Sequence, residues 1–187
     1  VVYIAAVGAL WGPNEERGVF RTTDGGDTWE KVLFVSENTG AVDVLMDPRN
    51  PDRIYAAAYQ RERRNWSFIG GGPEGGIYRT EDGGDTWQKL ENGLPDPDIG
   101  KIGLSIHGDN PDIVYAIIEA QNDRQTGVYR SMDRGASWEH RNTLNPTPWY
   151  YSQIRVAPDD PDHVWVLGTR AHVSDDGGEN FRNDGAP

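Results

Sequence analysis

Two sets of side chains in this chain are equipped for chemistry. The first is acidic: Asp43, Asp96, Asp98 and Glu119 lie outside the repeated turns described below. Two carboxyl groups about 5–9.5 Å apart across a glycosidic bond can hydrolyse it, one as acid and the other as base or nucleophile. No spacing selects such a pair from the 30 Asp and Glu residues. The second set is basic and aromatic. Arg61, Arg63, Arg64, Trp66 and Phe68 crowd together ahead of Gly70-Gly71-Gly72, in a chain whose formal net charge is −12. A guanidinium grips a carboxylate as a planar fork, and a ring stacks on a sugar or peptide. With Trp11 and Trp149, this island has the make-up of a ligand-binding surface. Packing against neighbouring elements is the alternative for each of these rings.

Other chemistries find no apparatus. The histidines, His107, His140, His163 and His172, show no metal-ligand spacing. Cysteine is absent, so there are no thiolate sites and no disulfides. The glycine run lacks the Gly-Lys-Ser/Thr ending of a phosphate loop, and no nucleophile elbow sets up Ser/His/Asp catalysis. The expectation is no metal and no cofactor. The acidic balance argues against a nucleic-acid partner, and no apolar run approaches the roughly 20 residues of a membrane helix.

Much of the acid belongs to four octapeptides that start at positions 22, 80, 131 and 174, spaced by 58, 51 and 43 residues. Each reads Ser/Thr-x-Asp-x-Gly-x-x-Trp/Phe, with Asp24 and Trp29, Asp82 and Trp87, Asp133 and Trp138, and Asp176 and Phe181 in the fixed places. A calcium loop of the EF-hand kind needs oxygens at alternate positions and a glutamate at the twelfth, which none supplies. The local reading is a hairpin. The hydroxyl and carboxylate accept backbone N–H bonds, glycine permits positive φ, and the aromatic ring packs between sheets.

These turns imply the elements that hold them. Asn50-Pro51-Asp52, Asn110-Pro111-Asp112 and Asp160-Pro161-Asp162 are a second recurring turn, each ahead of a β-branched and aromatic run. Together the two turns mark out units of four strands, A to D. Strand A is expected at 42–46, 102–106 and 153–157, and strand B at 53–59, 113–119 and 163–169. Strand C is expected at 76–79, 127–130 and 171–173, and strand D at 87–90, 138–141 and 181–182. The opening supplies only strands B, C and D of a further unit, at 1–7, 18–21 and 29–34. The apolar start reads as a strand rather than a signal peptide. Opening directly on a strand suggests a piece of a longer protein. Repeats of this kind predict an all-β fold, a β-propeller segment of about four blades of four-stranded antiparallel sheets. The first blade lacks its inner strand, and the whole is expected to be an arc of a larger ring. The blades fall at about 1–36, 37–93, 98–143 and 149–185 of a single 1–187 unit.

The boxes resemble the Asp-box, or bacterial neuraminidase repeat. Gly18-Val19-Phe20-Arg21, Gly76-Ile77-Tyr78-Arg79 and Gly127-Val128-Tyr129-Arg130, with the Asn-Pro-Asp turns, are similar to the sortilin-like (VPS10-type) subset, which includes bacterial proteins loosely named glycosyl hydrolases. The fourth box departs from the pattern with Phe181 in place of Trp. The resemblance implies a propeller and an extracellular or periplasmic setting, and it puts the box acids on the face away from any active site. Such propellers include sialidases, xyloglucan hydrolases and receptors, so the fold does not select among activities. A sialidase-like site needs three arginines and a tyrosine nucleophile, and Arg155 with Tyr150 falls short of that.

Antiparallel strands alternate their connections between two faces. The A–B and C–D turns share one, while the variable stretches 10–17, 61–75, 91–100, 121–126 and 143–149 share the other. Variable loops on a rigid scaffold are where function concentrates. The leading expectation is a non-catalytic scaffold that binds a protein or peptide through that face, centred on 61–68, or that meets further blades of a longer chain. The alternative is a fragment of a carbohydrate-active hydrolase with a glycan partner. A third is a structural subunit of a larger assembly.

Overall fold

The computed structural model describes residues 1–184; the last three positions of the unit expected at 1–187, which include the last of the blade expected at 149–185, lie outside them. The described residues hold sixteen strands and no helix. The first sheet has β1 (Val2–Ala6), β2 (Gly18–Thr22) and β3 (Glu30–Leu33) in that order. In the second, β4 (Thr39–Met46), β5 (Ile54–Arg64), β7 (Gly76–Thr80) and β8 (Gln88–Leu90) lie in order, and β6 (Ser67–Gly70) pairs with the far end of β5. The third holds β9 (Ile99–Ile106), β10 (Val114–Ala120), β11 (Gly127–Ser131) and β12 (Glu139–Asn142). The fourth holds β13 (Gln153–Val156), β14 (Val164–Leu167), β15 (Ala171–Ser174) and β16 (Arg182–Asn183). All pairings are antiparallel. The first sheet is a blade without its inner strand.

Several strand boundaries differ from the sequence reading. Strands β4 and β9 begin at Thr39 and Ile99, three residues early, because the residues ahead of each β-bulge still pair with strand B. Strand D begins one residue after the box aromatic, where box hydrogen bonds give way to the ladder.

The core lies between sheets. Ile54 to Tyr59 of β5 are buried without alternation, since a blade covers each face. Trp138 of the third sheet's box packs with Tyr55, Ile77, Leu104 and Ile118 between the second and third sheets. Phe181 stands likewise between the third and fourth, and Trp87 between the first and second. Trp29 has no sheet before it in this chain and is 42% exposed.

Each box is closed by the same bonds. The Thr80 hydroxyl donates to Asp82 Oδ1 at 2.6 Å and accepts from the Gly84 amide at 2.9 Å. Asp82 in turn accepts from the Thr86 amide at 2.9 Å and the Thr86 hydroxyl at 2.6 Å. Thr22 with Asp24, Ser131 with Asp133 and Ser174 with Asp176 repeat the pattern. Arg134 replaces the first box glycine and takes φ of 63°, a left-handed conformation that is uncommon outside Gly, Asn and Asp.

A clasp runs from each sheet to the next. The Tyr3 hydroxyl and Arg21 Nη1 both donate to the Gly83 carbonyl in the second sheet's box, at 2.8 and 2.7 Å. Tyr55 and Arg79 grip the Arg134 carbonyl in the third, at 2.9 and 2.6 Å. At the last junction the Tyr115 hydroxyl reaches the Pro161 carbonyl at 2.7 Å, and Arg130 pairs with Asp162 at 2.9 Å. Inner strands are stapled too: Leu104 N donates to Asp43 at 3.0 Å, and Val156 N to Ser105 at 3.0 Å.

Two measurements check this account. Urea unfolding should show Trp138→Ala destabilised by about 3–5 kcal/mol, as for a buried aromatic, and Trp29→Ala by less than about 1 kcal/mol. The second concerns acid. Bonds from the Asn180 amide and side chain hold the Asp176 carboxyl at about 2, below its ordinary 3.8. A depressed folded value means that its stabilising contribution is complete above 3.8 and fades as pH falls through about 2. Asp176→Asn should therefore be less stable at neutral pH, with a flatter stability profile across that acid window.

Candidate functional site

The face carrying the two recurring turns is closed by its own bonds. Box amides of Gly83, Arg134 and Gly177 donate to the carbonyls of Asp52, Asp112 and Asp162, each at 2.9 Å. Asp24, Asp82, Asp133 and Asp176 direct their carboxylates into their own hairpins.

The opposite face is built differently from the sequence expectation. Of residues 61–75, read there as a loop, 61–70 form a β-ribbon. Strand β5 runs on to Arg64, and β6 returns beside it, with Arg61 facing Gly70 and Arg63 facing Phe68. A run of Arg and Glu hides this strand from sequence inspection, because solvent faces both sides and no apolar alternation marks it. Strand alternation sends Tyr59, Arg61 and Arg63 to one side and Gln60, Glu62 and Arg64 to the other. Arg61 lies 5.7 Å from the Phe68 ring centroid, and Arg64 pairs with Glu62 at 2.6 Å. Trp66 stands at the tip, 80% exposed.

The Trp11 loop docks along one edge of this ribbon. Leu10 O accepts from Arg63 N at 3.1 Å, and Asn38 O accepts from Arg61 N at 3.1 Å. Buried Arg17, unmarked by any sequence signal, shapes that loop by donating to the carbonyls of Ala9, Gly12 and Asn38. Trp149 is not brought to the ribbon. Its loop is tied to β9 through Lys101, whose ammonium donates to Tyr150 O at 2.6 Å, and Trp149 and Tyr150 meet edge to face at 5.8 Å. Lys101 thus sits between the two regions, within the fields of Arg61, Glu119 and Asp43.

Two clefts adjoin Lys101. The larger, about 390 Å³, lies between Gly70 and Gly71 of the ribbon and Asp98, Gly100, Glu119 and Gln121 of the third sheet's end. Burial raises the Glu119 carboxyl, against a bond from Lys101 N at 3.1 Å. Tyr59 is 2% exposed, and its hydroxyl has no partner among the described residues. Burial, then the charge of Glu119, pushes that hydroxyl up to about 12. The smaller cleft, about 130 Å³, holds Asp43, Lys101, Tyr151, Gln153 and Arg155. There Asp43 is taken by the amides of Leu104 and Val44, and Arg155 by the Ile154 carbonyl. Asp96 parts from Asp98 and lines a separate hollow with Leu94, Pro95 and Pro97. Among the described residues no group of three or more His, Cys, Asp or Glu is placed to hold a metal, and no helix is long and apolar enough to cross a membrane.

Known proteins supply the context. Residues 75–184 match the Sortilin-Vps10 model, described as sortilin, neurotensin receptor 3, and residues 20–31 match the BNR/Asp-box repeat. The chain belongs to the Sortilin-Vps10 family.

It is 31% identical over 147 residues to a xyloglucanase from Paenibacillus sp, spanning 73% of this chain and 13% of that one. It is 30% identical over 107 residues to the chloroplastic photosystem II stability/assembly factor HCF136 of Cyanidioschyzon merolae, spanning 56% of this chain and 22% of that one. Among solved structures, the GH74 xyloglucanase from Xanthomonas campestris superposes with a TM-score of 0.63 at 14% identity, over 86% of this chain and 24% of that one. YCF48 bound to D1 peptide gives 0.51 at 16% identity, over 78% and 40%. These likenesses establish the β-propeller fold. This Sortilin-Vps10 chain spans 13% to 22% of the length of the curated relatives it matches.

The orphan hydroxyl yields a prediction. Removing an unpaired buried donor costs no hydrogen bond, so Tyr59→Phe should leave the melting temperature unchanged or raise it, by at most about 1 kcal/mol of stability.

Proposed function

We propose that this propeller segment is a non-catalytic recognition module that binds a protein or peptide through its variable-loop face. The observation that carries this reading is the ribbon: a two-stranded projection with Arg63 and Trp66 exposed, and the Trp11 loop bonded to its side. Exposed aromatic and arginine anchors on a rigid base lose little entropy on binding and dominate many interfaces. A neighbour of the same fold, YCF48, is seen with a D1 peptide, which supports a peptide as the ligand class. In this reading Arg61, Phe68 and Trp11 flank the centre, Arg64 holds the ribbon's far side through Glu62, and Trp149 extends the surface. An extracellular or periplasmic setting goes with the proposal, although HCF136 is chloroplastic.

A second reading, a fragment of a xyloglucanase-like or sialidase-like hydrolase, is favoured by one feature. Asp98 and Glu119 line a single open cleft, and burial pushes Glu119 towards the protonated form that a general acid needs.

Peptide and oligosaccharide arrays probed with the full chain separate the two. Peptide binding is expected, weakened about ten-fold or more in an Arg63→Ala, Trp66→Ala variant. Equal affinity in parent and variant overturns the placement. Binding confined to xyloglucan-type or sialylated glycans, with hydrolysis lost in Glu119→Gln, selects the second reading.

A further inference from the structure

We infer that the cleft between the β5–β6 ribbon and the third sheet is a subsite for a cationic side chain, lysine or arginine, of a peptide lying extended along the free edge of β6. This rests on the recognition reading and specifies what the ligand must carry.

Three independent features converge on the cleft. The first is unbalanced charge. Asp98 and Glu119 line it, and no ion pair reaches either carboxylate among the described residues. Glu119 accepts one bond, from the Lys101 amide, while the Lys101 ammonium is directed to Tyr150 O. Two carboxylates are acceptor-only groups, and a partner must bring N–H donors and positive charge. A neutral sugar supplies the donors alone.

The second feature is the Tyr59 hydroxyl. It is buried and unpartnered. It lies 3.1 Å from where a Cβ on Gly70 would stand, beside the Phe68 ring, and so backs the Gly70 wall of the same cleft. That wall is bare backbone. Gly70, Gly71 and Gly100 contribute no side chains, and a Cβ on Gly100 would collide with Glu119 Oε2. The aliphatic stem of a Lys or Arg fits against such a surface with its head at the acids.

The third feature is the ribbon edge. Arg61 and Arg63 turn their amides away from β6, to Asn38 O and Leu10 O. Residues opposite one another in an antiparallel ladder share that orientation. Gly70 and Phe68, facing Arg61 and Arg63, therefore turn their N–H and C=O groups outward on the other edge, where among the described residues no strand pairs with them; just past Gly70 that edge is closed at Gly72, whose amide donates to Ile99 O at 3.1 Å. An open edge of this kind accepts an extended peptide by strand addition. Its Gly70 end lies at the cleft, so a strand paired there delivers a side chain to Glu119 and Asp98.

The test is selection from a random-peptide library on the full chain. Recovered peptides should carry Lys or Arg at one fixed position, and Gln in its place should weaken binding about ten-fold or more by fluorescence anisotropy. An Asp98→Asn, Glu119→Gln variant should lose the preference. Tyr59→Phe should weaken the same peptides without lowering the melting temperature. N-methylation along the peptide should be harmful at alternate positions only. Peptides recovered without a basic preference, or with the preference intact in the Asn/Gln variant, overturn the subsite and leave the recognition reading standing. Recovery of no peptide by the folded chain overturns both.

Discussion

A single backbone carbonyl at each of the first two junctions holds neighbouring blades in register. In those boxes it is the carbonyl of the first glycine position, Gly83 or Arg134, and it receives a tyrosine hydroxyl and an arginine from the blade before. A neutral hydrogen bond contributes about 1 kcal/mol and a charge-assisted one about 1.5–3. These are small sums beside the apolar burial between sheets. Their importance is directional, because burial alone lets two sheets slide, whereas a doubly gripped oxygen fixes one position. The box bonds matter for this reason: they present that oxygen outward at a constant angle.

The division of labour between faces follows. Serine, threonine and aspartate of the boxes are consumed in shaping hairpins, and the turn carbonyls of Asp52, Asp112 and Asp162 are consumed in bracing them. That face has little left to offer a ligand. Among the described residues the opposite face keeps spare hydrogen-bonding capacity: the amides of Phe68 and Gly70, the Tyr59 hydroxyl, and the carboxylates of Asp98 and of Glu119, which accepts one bond, from Lys101 N, and no ion pair. Polar groups left without partners on a rigid scaffold are the residue of a fold that satisfies itself elsewhere.

The architecture was legible because its signals are local. A box or an Asn-Pro-Asp turn is complete within a few residues, and its aromatic must enter the gap between sheets wherever a sheet precedes it. The ribbon was not legible, since Arg61 to Arg64 pattern as solvent-exposed on both sides and only pairing with Ser67 to Gly70 makes them a strand. The cleft was less legible still. Asp96 and Asp98 are two residues apart in sequence, yet the chain turns at Asp98, with φ of 81°, and only Asp98 joins Glu119 in lining the cleft. Lys101 and Arg17 carry no motif. Each is fixed partly by a carbonyl of the next blade's segment, Tyr150 for Lys101 and Asn38 for Arg17, which no single stretch of sequence encodes.

The clasps also point one way along the chain. Tyr3 and Arg21 reach forward to Gly83, and Tyr55 and Arg79 reach forward to Arg134. Each joint is therefore polar: the earlier blade contributes the donors and the later one the carbonyl, so that the two sides of a blade are not interchangeable and blades can meet in one order only.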